Sequence, residues 1–519
     1  MDINFCIGQI GTEPFNVEGN EKLIIELALS AKRSGYEMIV FPELSLSGYY
    51  CLDLTFNQNF LLAQRDSISR IAAKTNGITV VLGFMRAEEG VLRSNGRPVV
   101  YNSAAVLEDG KLLGIQDKRL LPDYDVFDET RYFVAGLKSD PIRSKLGILG
   151  LQICEDLWTD GYGVNPGREL IDKGAQLIIN ISASPYEKGK FDERVRLARK
   201  LKHPFLYVNT VGGFDGYEGE VVFDGRSFFV GAEREFVLGL GESGVLSANN
   251  AISGRLSQVE EIYECLTIGL KSYLTRTKSD GILVGLSGGI DSALVSVLAS
   301  RVTKNLTLVS MPTRFNKQET QDDAKRLAKN LGANFYEFSI DGIYERFSRE
   351  LQSSFSVSEV ALENLQSRLR MATLFSVSNS NGYLVVNTGN KTELALGYTT
   401  SYGDLAGAIS VLGDVNKREV YELARFVNKT KEIIPQSIIN REPSAELRDN
   451  QTDAEGMGAR PQDIADIVDT LIEGGEVEDT NVNRKLRSML LASEWKRRQA
   501  PPAIKISKKA FGHGRRVPM

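Results

Sequence analysis

The sequence predicts an α/β protein built from two domains in tandem. At 519 residues the chain is longer than one hydrophobic core usually supports. Strand-like and helix-like apolar patterns alternate through both halves, which is typical of layered α/β architecture. The stretch GESGVLSANNAISGRLSQ, rich in Gly, Ser and Asn, lacks periodicity between the halves. We therefore predict one domain over residues 1–245, a linker over 246–258 and a second domain over 259–519.

The first half begins with alternating strands and helices and continues with hairpins. INFCIGQI and ITVVLGF have the composition of buried strands, and GNEKLIIELALSAKRSG has amphipathic helical periodicity. Asp109-Gly110 and Asp224-Gly225 are turn signals inside runs of alternating polarity, so each predicts a hairpin. Hairpins among helices argue against a purely parallel sheet in this half.

The second half alternates strands and helices more regularly. EEIYECLTIGLKSYLTRT predicts a helix, ILVGLS a strand, LTLVSMP a strand and TQDDAKRLAKNLG a helix. Helices of this length between strands imply right-handed crossovers and a mostly parallel, doubly wound sheet. The final stretch, EWKRRQAPPAIKISKKAFGHGRRVP, is basic and predicted to be irregular.

Composition excludes several classes of protein. The formal net charge is -5 and the pI is near 5.6, so nothing points to nucleic acid as a partner. No apolar run approaches the length needed to cross a bilayer, and MDINFCIGQIG lacks the features of a signal peptide. The four cysteines form no close pair, which disfavours zinc and disulfides. We expect a cytoplasmic protein without a membrane partner.

A glycine-rich break between a strand and a helix, GLSGGIDS, predicts an anion site. Glycines let the backbone approach a ligand closely, and the following helix presents free N–H groups and a positive dipole end. No Lys follows the second Gly as in a Walker A loop, and Asp291 beside phosphates implies Mg²⁺ between them. The expected nucleotide-binding residues are Gly285, Leu286, Ser287, Gly288, Gly289, Ile290, Asp291 and Ser292.

Two alternatives bear on this prediction. GLSGGIDS could be an ordinary strand-to-helix turn with Asp and Ser as caps, although this many polar residues and glycines at fixed offsets favour function. GLGESG at 239–244 also fits GxGxxG, but no helical periodicity follows it, so we reject it as a nucleotide site.

Three distant residues predict an amide-cleaving site. Cys154 follows an apolar strand in LGLQICEDLW, Glu43 ends a strand in IVFPEL, and Lys118 precedes a proline turn in DKRLLP. Taken singly, the cysteine fits a buried structural role and the two charges fit solvated surface positions. Together they supply a nucleophile, a proton acceptor and a cation for the oxyanion.

These segments resemble the nitrilase, or carbon-nitrogen hydrolase, superfamily over roughly residues 2–250. FPE, KxxLP and CEDxW occur in the order typical of that family, and its Glu-Lys-Cys triad corresponds to Glu43, Lys118 and Cys154. The resemblance implies an α-β-β-α sandwich for the first domain.

The SGGxDS loop resembles the N-type ATP pyrophosphatases, which cleave ATP to AMP and pyrophosphate while adenylating an acceptor. VVNTGNKTELALGY places polar residues at a strand end, where open α/β sheets bind ligands. Asp291 and Glu393 are therefore candidate metal ligands, Lys391 a candidate phosphate contact and Thr388 a candidate nucleotide contact. The expected cofactor is Mg²⁺, with ATP as co-substrate.

ENLQxRxR, TGNKxELAxGY, YGDxAG, PSAEL and the RRQAPP and KAFG tail resemble the NAD synthetases. With the nitrilase-like half, the whole chain is similar to the glutamine-dependent members of that family. The resemblance implies ATP-dependent amidation of deamido-NAD by ammonia released from glutamine. It also implies glutamine contacts at Tyr124, Glu155, Ser184 and Lys190, and deamido-NAD contacts at Asn364, Glu393, Asp404 and Lys509.

The chemistry explains why both sites occur in one chain. A carboxylate is a poor acyl donor until it is adenylated, and ammonia made and shielded inside the protein avoids protonation. We expect an ammonia channel and a homo-oligomer. Rival interpretations are a GMP or asparagine synthetase, an RNA-thiolating enzyme and a non-catalytic scaffold. A GMP synthetase would need a Cys-His-Glu triad, and neither His203 nor His513 has a suitable setting; an asparagine synthetase would need a cysteine where Asp2 stands. The acidic pI disfavours an RNA-thiolating enzyme, and the intact catalytic set disfavours a non-catalytic scaffold.

Overall fold

The computed structural model describes residues 3–232, 234–449, 451, 454, 457–512, 515, 517 and 518. It divides into two compact units. The first runs to Phe214 and resumes over Val222–Arg255, and the second comprises Asp215–Val221 and the chain from Leu256 onward. The short exchange at 215–221 has no counterpart in the hydrophobic periodicity of the sequence.

Two mixed six-stranded sheets form the centre of the first unit. The strands of the first sheet are β1 (Phe5–Gln9), β2 (Met38–Val40), β3 (Thr79–Leu92), β4 (Pro98–Glu108), β5 (Lys111–Asp117) and β14 (Gly244–Leu246), in the order β14-β1-β2-β3-β4-β5. Those of the second are β6 (Ile142–Ser144), β7 (Gly147–Ile153), β8 (Leu177–Ser182), β9 (Phe205–Asn209), β12 (Phe228–Val230) and β13 (Glu235–Val237), in the order β13-β12-β9-β8-β7-β6.

The two sheets pack face to face, with helices outside them. Their facing side chains form one core that includes Ile7, Val81, Leu151, Ile179 and Val208. The helices of this unit are α1 (Val17–Arg33), α2 (Gln58–Lys74), α3 (Glu129–Tyr132), α4 (Pro166–Asp172) and α5 (Lys190–Lys200). Helices α1 and α2 contact the first sheet, and α4 and α5 pack on the second. The predicted α-β-β-α sandwich is confirmed.

One of the two predicted hairpins forms and the other does not. Asp109-Gly110 joins β4 to β5, and both residues have positive φ as such a turn requires. Asp224-Gly225 instead leads from β11 (Glu220–Asp224) to β12, which lies in a different sheet, so that prediction is wrong. Ser227 donates its N–H and its hydroxyl to Gln9 Oε1, at 3.0 and 2.7 Å, which directs the chain into the second sheet.

A five-stranded, fully parallel sheet forms the centre of the second unit. Its strands are β15 (Gly281–Gly285), β16 (Leu306–Ser310), β17 (Asn334–Glu337), β18 (Tyr383–Asn387) and β19 (Ile409–Ser410), in the order β17-β16-β15-β18-β19. The order reverses direction between β15 and β18, so right-handed crossovers place helices on both faces. The doubly wound sheet predicted for this half is confirmed. Ligands of such sheets bind at the carboxyl ends of the strands that flank the reversal.

The remaining elements surround this sheet. They are α6 (Gln258–Thr277), α7 (Ile290–Val302), α8 (Gln318–Leu331), α9 (Asp341–Ser354), α10 (Glu359–Asn381), α11 (Lys391–Leu396), α12 (Lys417–Val427), α13 (Gln436–Asn440), α14 (Pro461–Glu473), α15 (Asn481–Ala492) and α16 (Glu494–Arg497). Strand β10 (Val211–Asp215) precedes the exchanged segment. Within the described residues, every helix is too short or too polar to span a membrane.

The exchanged segment is held by strand pairing and by an ion pair inside the second unit. Glu220 and Val221, at the start of β11, pair in parallel with the two residues of β20 (Ile504–Lys505). The Glu220 carboxylate is buried and accepts two hydrogen bonds from the Arg276 guanidinium. The basic tail predicted to be irregular therefore contributes one short strand.

Candidate active sites

Cys154 follows β7 directly and opens a short 3-10 helix, Cys154–Leu157. Its φ is 44°, a left-handed conformation that few non-glycine residues adopt. Asp156 supports this turn, because its Oδ2 accepts the Ile153 N–H at 3.0 Å and its Oδ1 accepts the Leu120 N–H at 2.9 Å. The second bond ties the cysteine turn to the segment that follows β5.

The Glu43 carboxylate is buried and accepts hydrogen bonds from three donors. Oε1 accepts from Lys118 Nζ at 2.8 Å and from Asn102 Nδ2 at 2.7 Å. Oε2 accepts from the Ala183 N–H at 2.6 Å. These residues come from the ends of β2, β5 and β8 and from β4, so the sandwich brings them together at one edge. The sequence-predicted carboxylate and lysine are in direct contact.

A second buried carboxylate, Glu129, contacts the same lysine, and the sequence analysis missed it. Oε1 accepts hydrogen bonds from Lys118 Nζ at 2.8 Å and from the Tyr49 hydroxyl at 3.3 Å. Burial raises the pKa of Glu129 to about 7; Lys118 opposes the rise and Glu43 adds to it. The acidic run DYDVFDET gave a signal, but it could not distinguish Glu129 from its three aspartates.

The thiol, the carboxylate and the ammonium interact electrostatically. Burial raises the pKa of Cys154 well above its ordinary value, Glu43 adds to the rise, and Lys118 opposes it. Burial lowers the pKa of Lys118, but Glu129 and Glu43 raise it further, so its net pKa lies well above the ordinary value. A resting thiol beside a buried carboxylate and a fixed cation can be activated as a nucleophile by proton transfer to the carboxylate.

Three of the four expected glutamine contacts adjoin this site. The Tyr124 hydroxyl donates to Glu155 Oε2 at 2.9 Å, and the Tyr162 hydroxyl donates to Glu155 Oε1 at 3.1 Å. Burial raises the pKa of Glu155, and the nearby Lys190 ammonium opposes that shift. Lys190 Nζ lies 5.9 Å from the ring centroid of Trp158. One carboxylate and one ammonium thus stand beside the cysteine turn.

Ser184, the fourth expected contact, lies on a rigid segment after β8. Its N–H donates to Asn209 Oδ1 at 2.9 Å, and its carbonyl accepts from Arg194 Nη2 at 2.8 Å. Arg194 is buried and pairs with Asp224 at 2.8 Å. Ala183, the preceding residue, donates to Glu43, so Ser184 is one residue away from the site described above.

In the second unit, the glycine loop between β15 and α7 is open at its tip. Ser287 and Gly289 are exposed, whereas Gly288 is buried with a φ of 82°. A Cβ at Gly288 would lie 2.4 Å from the Thr320 carbonyl oxygen, so only glycine fits there. Ser287 Oγ lies 3.0 Å from Ser292 Oγ. The exposed backbone stands at the N-terminus of a thirteen-residue helix, a position that favours anions.

The two predicted metal ligands converge on one cation. Asp291 Oδ2 lies 2.5 Å from Lys417 Nζ, and Glu393 Oε1 lies 3.5 Å from the same nitrogen. Asn390 Nδ2 donates to Asp291 Oδ1 at 2.9 Å, and Asn390 Oδ1 accepts the Glu393 N–H at 3.1 Å. Both side chains offer carboxylate oxygens, the ligand type that Mg²⁺ prefers, although Lys417 contacts both of them in this structure. Over the described part of the chain, no three His, Cys, Asp or Glu side chains form a metal-binding group.

The structure corrects the expectation for Lys391. Its Nζ is buried and contacts Asp414 Oδ1 at 2.9 Å, Ser507 Oγ at 2.8 Å and Asp469 Oδ1 at 3.3 Å. Burial lowers the pKa of Lys391, but the two aspartates raise it above the ordinary value. Lys391 is therefore engaged in the interior, and Lys417, which the sequence analysis missed, stands beside Asp291 instead.

Asn364 and Asp404 share one partner. The Thr400 hydroxyl donates to Asn364 Oδ1 at 2.7 Å, and the Thr400 N–H donates to Asp404 Oδ1 at 2.5 Å. Burial raises the pKa of Asp404. Lys509 Nζ donates to the carbonyl at the end of α14 at 3.1 Å, and no bond among the described residues joins it to Asn364. Thr388 follows β18 and is half-buried.

Comparison with known proteins extends these observations. The chain matches the family described as Carbon-nitrogen hydrolase over residues 6–258 and the family described as NAD synthase over residues 262–500. The fold and the two sites therefore define a ligase that carries its own carbon-nitrogen hydrolase. The chain is 36% identical over 538 residues to a glutamine-dependent NAD(+) synthetase of Synechocystis sp., covering 96% of this chain and 95% of the relative. It belongs to the glutamine-dependent NAD(+) synthetase family.

Other relatives agree over the full length. A glutamine-dependent NAD(+) synthetase of Thermotoga maritima is 35% identical over 585 residues, covering 100% of this chain and 98% of the relative. The solved glutamine-dependent NAD+ synthetase of Acinetobacter baumannii, in complex with ADP, is 30% identical and has a TM-score of 0.76. That similarity covers 99% of this chain and 98% of the solved one.

Proposed function

We propose that this enzyme amidates deamido-NAD, nicotinate adenine dinucleotide, to NAD(+). ATP activates the acceptor and glutamine supplies the nitrogen, so the other products are AMP, pyrophosphate and glutamate. The observation that carries the proposal is the pairing in one chain of a Cys154 site and an exposed glycine loop at a helix N-terminus. We assign glutamine hydrolysis to the domain predicted over 1–245 and amidation to the domain predicted over 259–519.

In the first reaction, Glu43 accepts the proton of the Cys154 thiol, and the sulfur attacks the amide carbon of glutamine. Lys118 stabilises the negative charge that develops on the amide oxygen. Glu43 returns the proton to the departing nitrogen, ammonia leaves, and water then hydrolyses the thioester to glutamate. We assign Tyr124, Glu155, Ser184 and Lys190 to glutamine binding, because Glu155 offers a carboxylate to its ammonium and Lys190 an ammonium to its carboxylate.

In the second reaction, a carboxylate oxygen of deamido-NAD attacks the α-phosphorus of ATP, and the bond to pyrophosphate breaks. Ammonia then attacks the acyl carbon and AMP leaves. The loop residues Gly285 to Ser292 would bind the departing pyrophosphate, with Thr388 on the nucleotide. Lys417 adds positive charge beside the same loop. We assign deamido-NAD binding to Asn364, Glu393, Asp404 and Lys509.

The fit of Asp291 and Glu393 to a cation supports Mg²⁺ as the cofactor. The two carboxylates would hold the ion together with phosphate oxygens, as is usual for Mg²⁺ in nucleotide sites. When bound, Mg²⁺ supplies neutralisation of the triphosphate charge. Asn390 contacts both carboxylates: its side-chain amide donates to Asp291 Oδ1, and its backbone N–H donates to Glu393 Oε2 at 3.3 Å.

We further propose that the enzyme acts in the cytoplasm as a homo-oligomer, without nucleic acid or membrane as partner. Helix α9 exposes two apolar side chains one helical turn apart, and the residue after the helix exposes a third. The exposed fractions are 47% for Ile343, 47% for Phe347 and 68% for Phe355. Exposed apolar patches of this kind are typical of surfaces that another subunit covers.

The test is a product assay with deamido-NAD, ATP, Mg²⁺ and glutamine. The expected products are NAD(+), AMP, pyrophosphate and glutamate in equal amounts. A parallel reaction with ammonium chloride in place of glutamine separates amidation from glutamine hydrolysis. Release of ADP and phosphate instead of AMP and pyrophosphate would contradict adenylation of the acceptor.

A further inference from the structure

Arg441 contacts the glycine loop from outside the motif that defines it. Its Nη1 donates a hydrogen bond to the Gly288 carbonyl oxygen at 3.1 Å, and its Nη2 donates one to Asp323 Oδ2. Asp323 is buried and also accepts from Ser437 Oγ at 2.6 Å. The guanidinium is thus fixed by a buried carboxylate at one nitrogen and holds the loop backbone with the other.

This contact determines which way the peptide between Gly288 and Gly289 faces. The carbonyl of Gly288 and the N–H of Gly289 belong to one planar unit and point to opposite sides of the chain. With the carbonyl bound by Arg441, the Gly289 N–H points to Ser287 Oγ, at 3.2 Å. Both Ser287 and Gly289 are exposed, so the N–H lies on the open side of the loop.

Glycines on both sides of this peptide make the opposite orientation accessible. A flip rotates ψ of Gly288 and φ of Gly289, and would carry the latter from -86° into positive values that glycine tolerates. The flipped peptide would present a carbonyl oxygen to the phosphates and repel them. A glycine loop that binds anions through N–H groups therefore needs something to hold its peptides.

We propose that Arg441 is a positioning residue for amidation: it holds the Gly288–Gly289 peptide with its N–H directed to the ATP phosphates, and Asp323 holds Arg441 in place. The inference rests on the proposed function, because it takes ATP as the ligand of this loop. Arg441 lies between α13 and the PSAEL motif, so it belongs neither to that motif nor to the SGGxDS loop.

The test compares Arg441→Met with Arg441→Lys in ammonia-driven NAD(+) synthesis. Loss of a hydrogen bond from a charged donor predicts that Arg441→Met raises the KM for ATP roughly ten- to hundredfold, with a smaller fall in kcat. The inhibition constant of pyrophosphate should rise in parallel. Arg441→Lys retains one charged donor and should recover part of both affinities. Glutamine hydrolysis by the same preparations should be unchanged.

Arg326→Met is the matched control. Arg326 Nη2 donates to the other Asp323 oxygen at 2.5 Å and to Ser437 Oγ at 2.8 Å, and neither partner belongs to the glycine loop. Its KM for ATP should stay within about twofold of the wild-type value. An equal rise in Arg326→Met and Arg441→Met would assign the effect to the Asp323 network and overturn the proposal.

Gly289→Ala tests the orientation of the peptide directly. Alanine disfavours positive φ, so this change opposes the flip, and the added Cβ would lie 3.3 Å from the movable Ser287 Oγ. The rise in KM caused by Arg441→Met should be smaller in the Gly289→Ala background than in the wild-type background. An equal rise in both backgrounds would overturn the proposal. If Gly289→Ala alone abolishes synthesis, the comparison of Arg441→Met with Arg441→Lys decides instead. Equal KM values for ATP in those two variants would then overturn the proposal.

The wild-type enzyme separates failure of this inference from failure of the proposed function. If wild-type enzyme forms no NAD(+) from deamido-NAD, ATP and ammonia, the proposed function fails. If it forms NAD(+) and Arg441→Met leaves the KM for ATP unchanged, only the assignment of Arg441 fails.

Discussion

The Lys118 ammonium and the Glu129 carboxylate lie 2.8 Å apart, and both side chains are buried. Because Glu43 contacts the same ammonium, two carboxylates share one positive charge away from water. Such a site binds a proton more readily than an exposed carboxyl group does.

The raised pKa of Glu129 predicts a pH-dependent stability. Burial raises this pKa from 4.5 to about 7, so between these values the folded protein holds a proton that the unfolded chain has released. Rising pH therefore destabilises the fold through this window. Glu129→Gln removes this dependence. Calorimetry from about pH 5 to about pH 8 should show a smaller fall in Tm for Glu129→Gln than for the wild type.

Glu88→Gln is the control for this measurement, because Glu88 is an exposed glutamate on β3 of the same unit. Its Tm should follow the wild-type pH dependence. Parallel pH profiles for Glu129→Gln and the wild type would show that Glu129 carries no extra proton.

Cys154→Ala should separate the two reactions. Without the sulfur nucleophile no thioester forms, so glutamine-driven synthesis should fall at least about a thousandfold. Synthesis from added ammonium chloride should stay near the wild-type rate, because the substitution leaves the residues assigned to amidation unchanged. Cys6→Ala removes a buried thiol of β1 and should keep both activities. Equal loss of the two activities in Cys154→Ala would contradict separable sites.

Gly288→Ala should block amidation without affecting glutamine hydrolysis. The added Cβ would lie 2.4 Å from a backbone oxygen of α8, and the φ of 82° costs a residue other than glycine about 1–2 kcal/mol. The loop must therefore move from its anion-binding shape. Steady-state assays with ammonium chloride should show loss of synthesis. Gly342→Ala, with no atom within 4 Å of its added Cβ, should behave as wild type.

Lys391→Met should act mainly on stability. Removing the ammonium leaves Asp414 and Asp469 without their shared cation in the interior, at a cost of about 3–5 kcal/mol. Urea unfolding followed by fluorescence should show the loss. Lys325→Met removes an exposed partner of Glu337 and should cost less than about 1 kcal/mol. A stable Lys391→Met enzyme with a raised KM for ATP would restore the role that the sequence suggested.

The sequence predicted the layers and the chemical motifs because both depend on local patterns. Alternating strands and helices indicated the sandwich and the parallel sheet, and the residues at 285–292 span the end of a strand, a short loop and the start of a helix as predicted. Glu43 and Lys118 follow strands of the first sheet and Cys154 follows a strand of the second, so all three lie where their strands end.

The remaining features depend on contacts between distant segments. Asp224-Gly225 has the composition of a hairpin turn, yet Gln9 captures Ser227 and sends the chain into another sheet. Lys391 lies in the same TGNKxELAxGY motif as Glu393. Lys417 follows β19 and is far from Asp291 in the sequence, and the fold brings the two into contact. Composition alone could not indicate which lysine faces the loop.

The exchanged segment also limits how this enzyme can be dissected genetically. The chain changes unit after Phe214, after Val221 and again after Arg255. A truncation at the apparent linker would therefore carry Glu220 away from Arg276 and strip β20 of its neighbour. If the two halves were expressed separately, β20 would lose its pairing strand and the Arg276 guanidinium would lose its carboxylate. We therefore expect the halves to be soluble only when they are produced together.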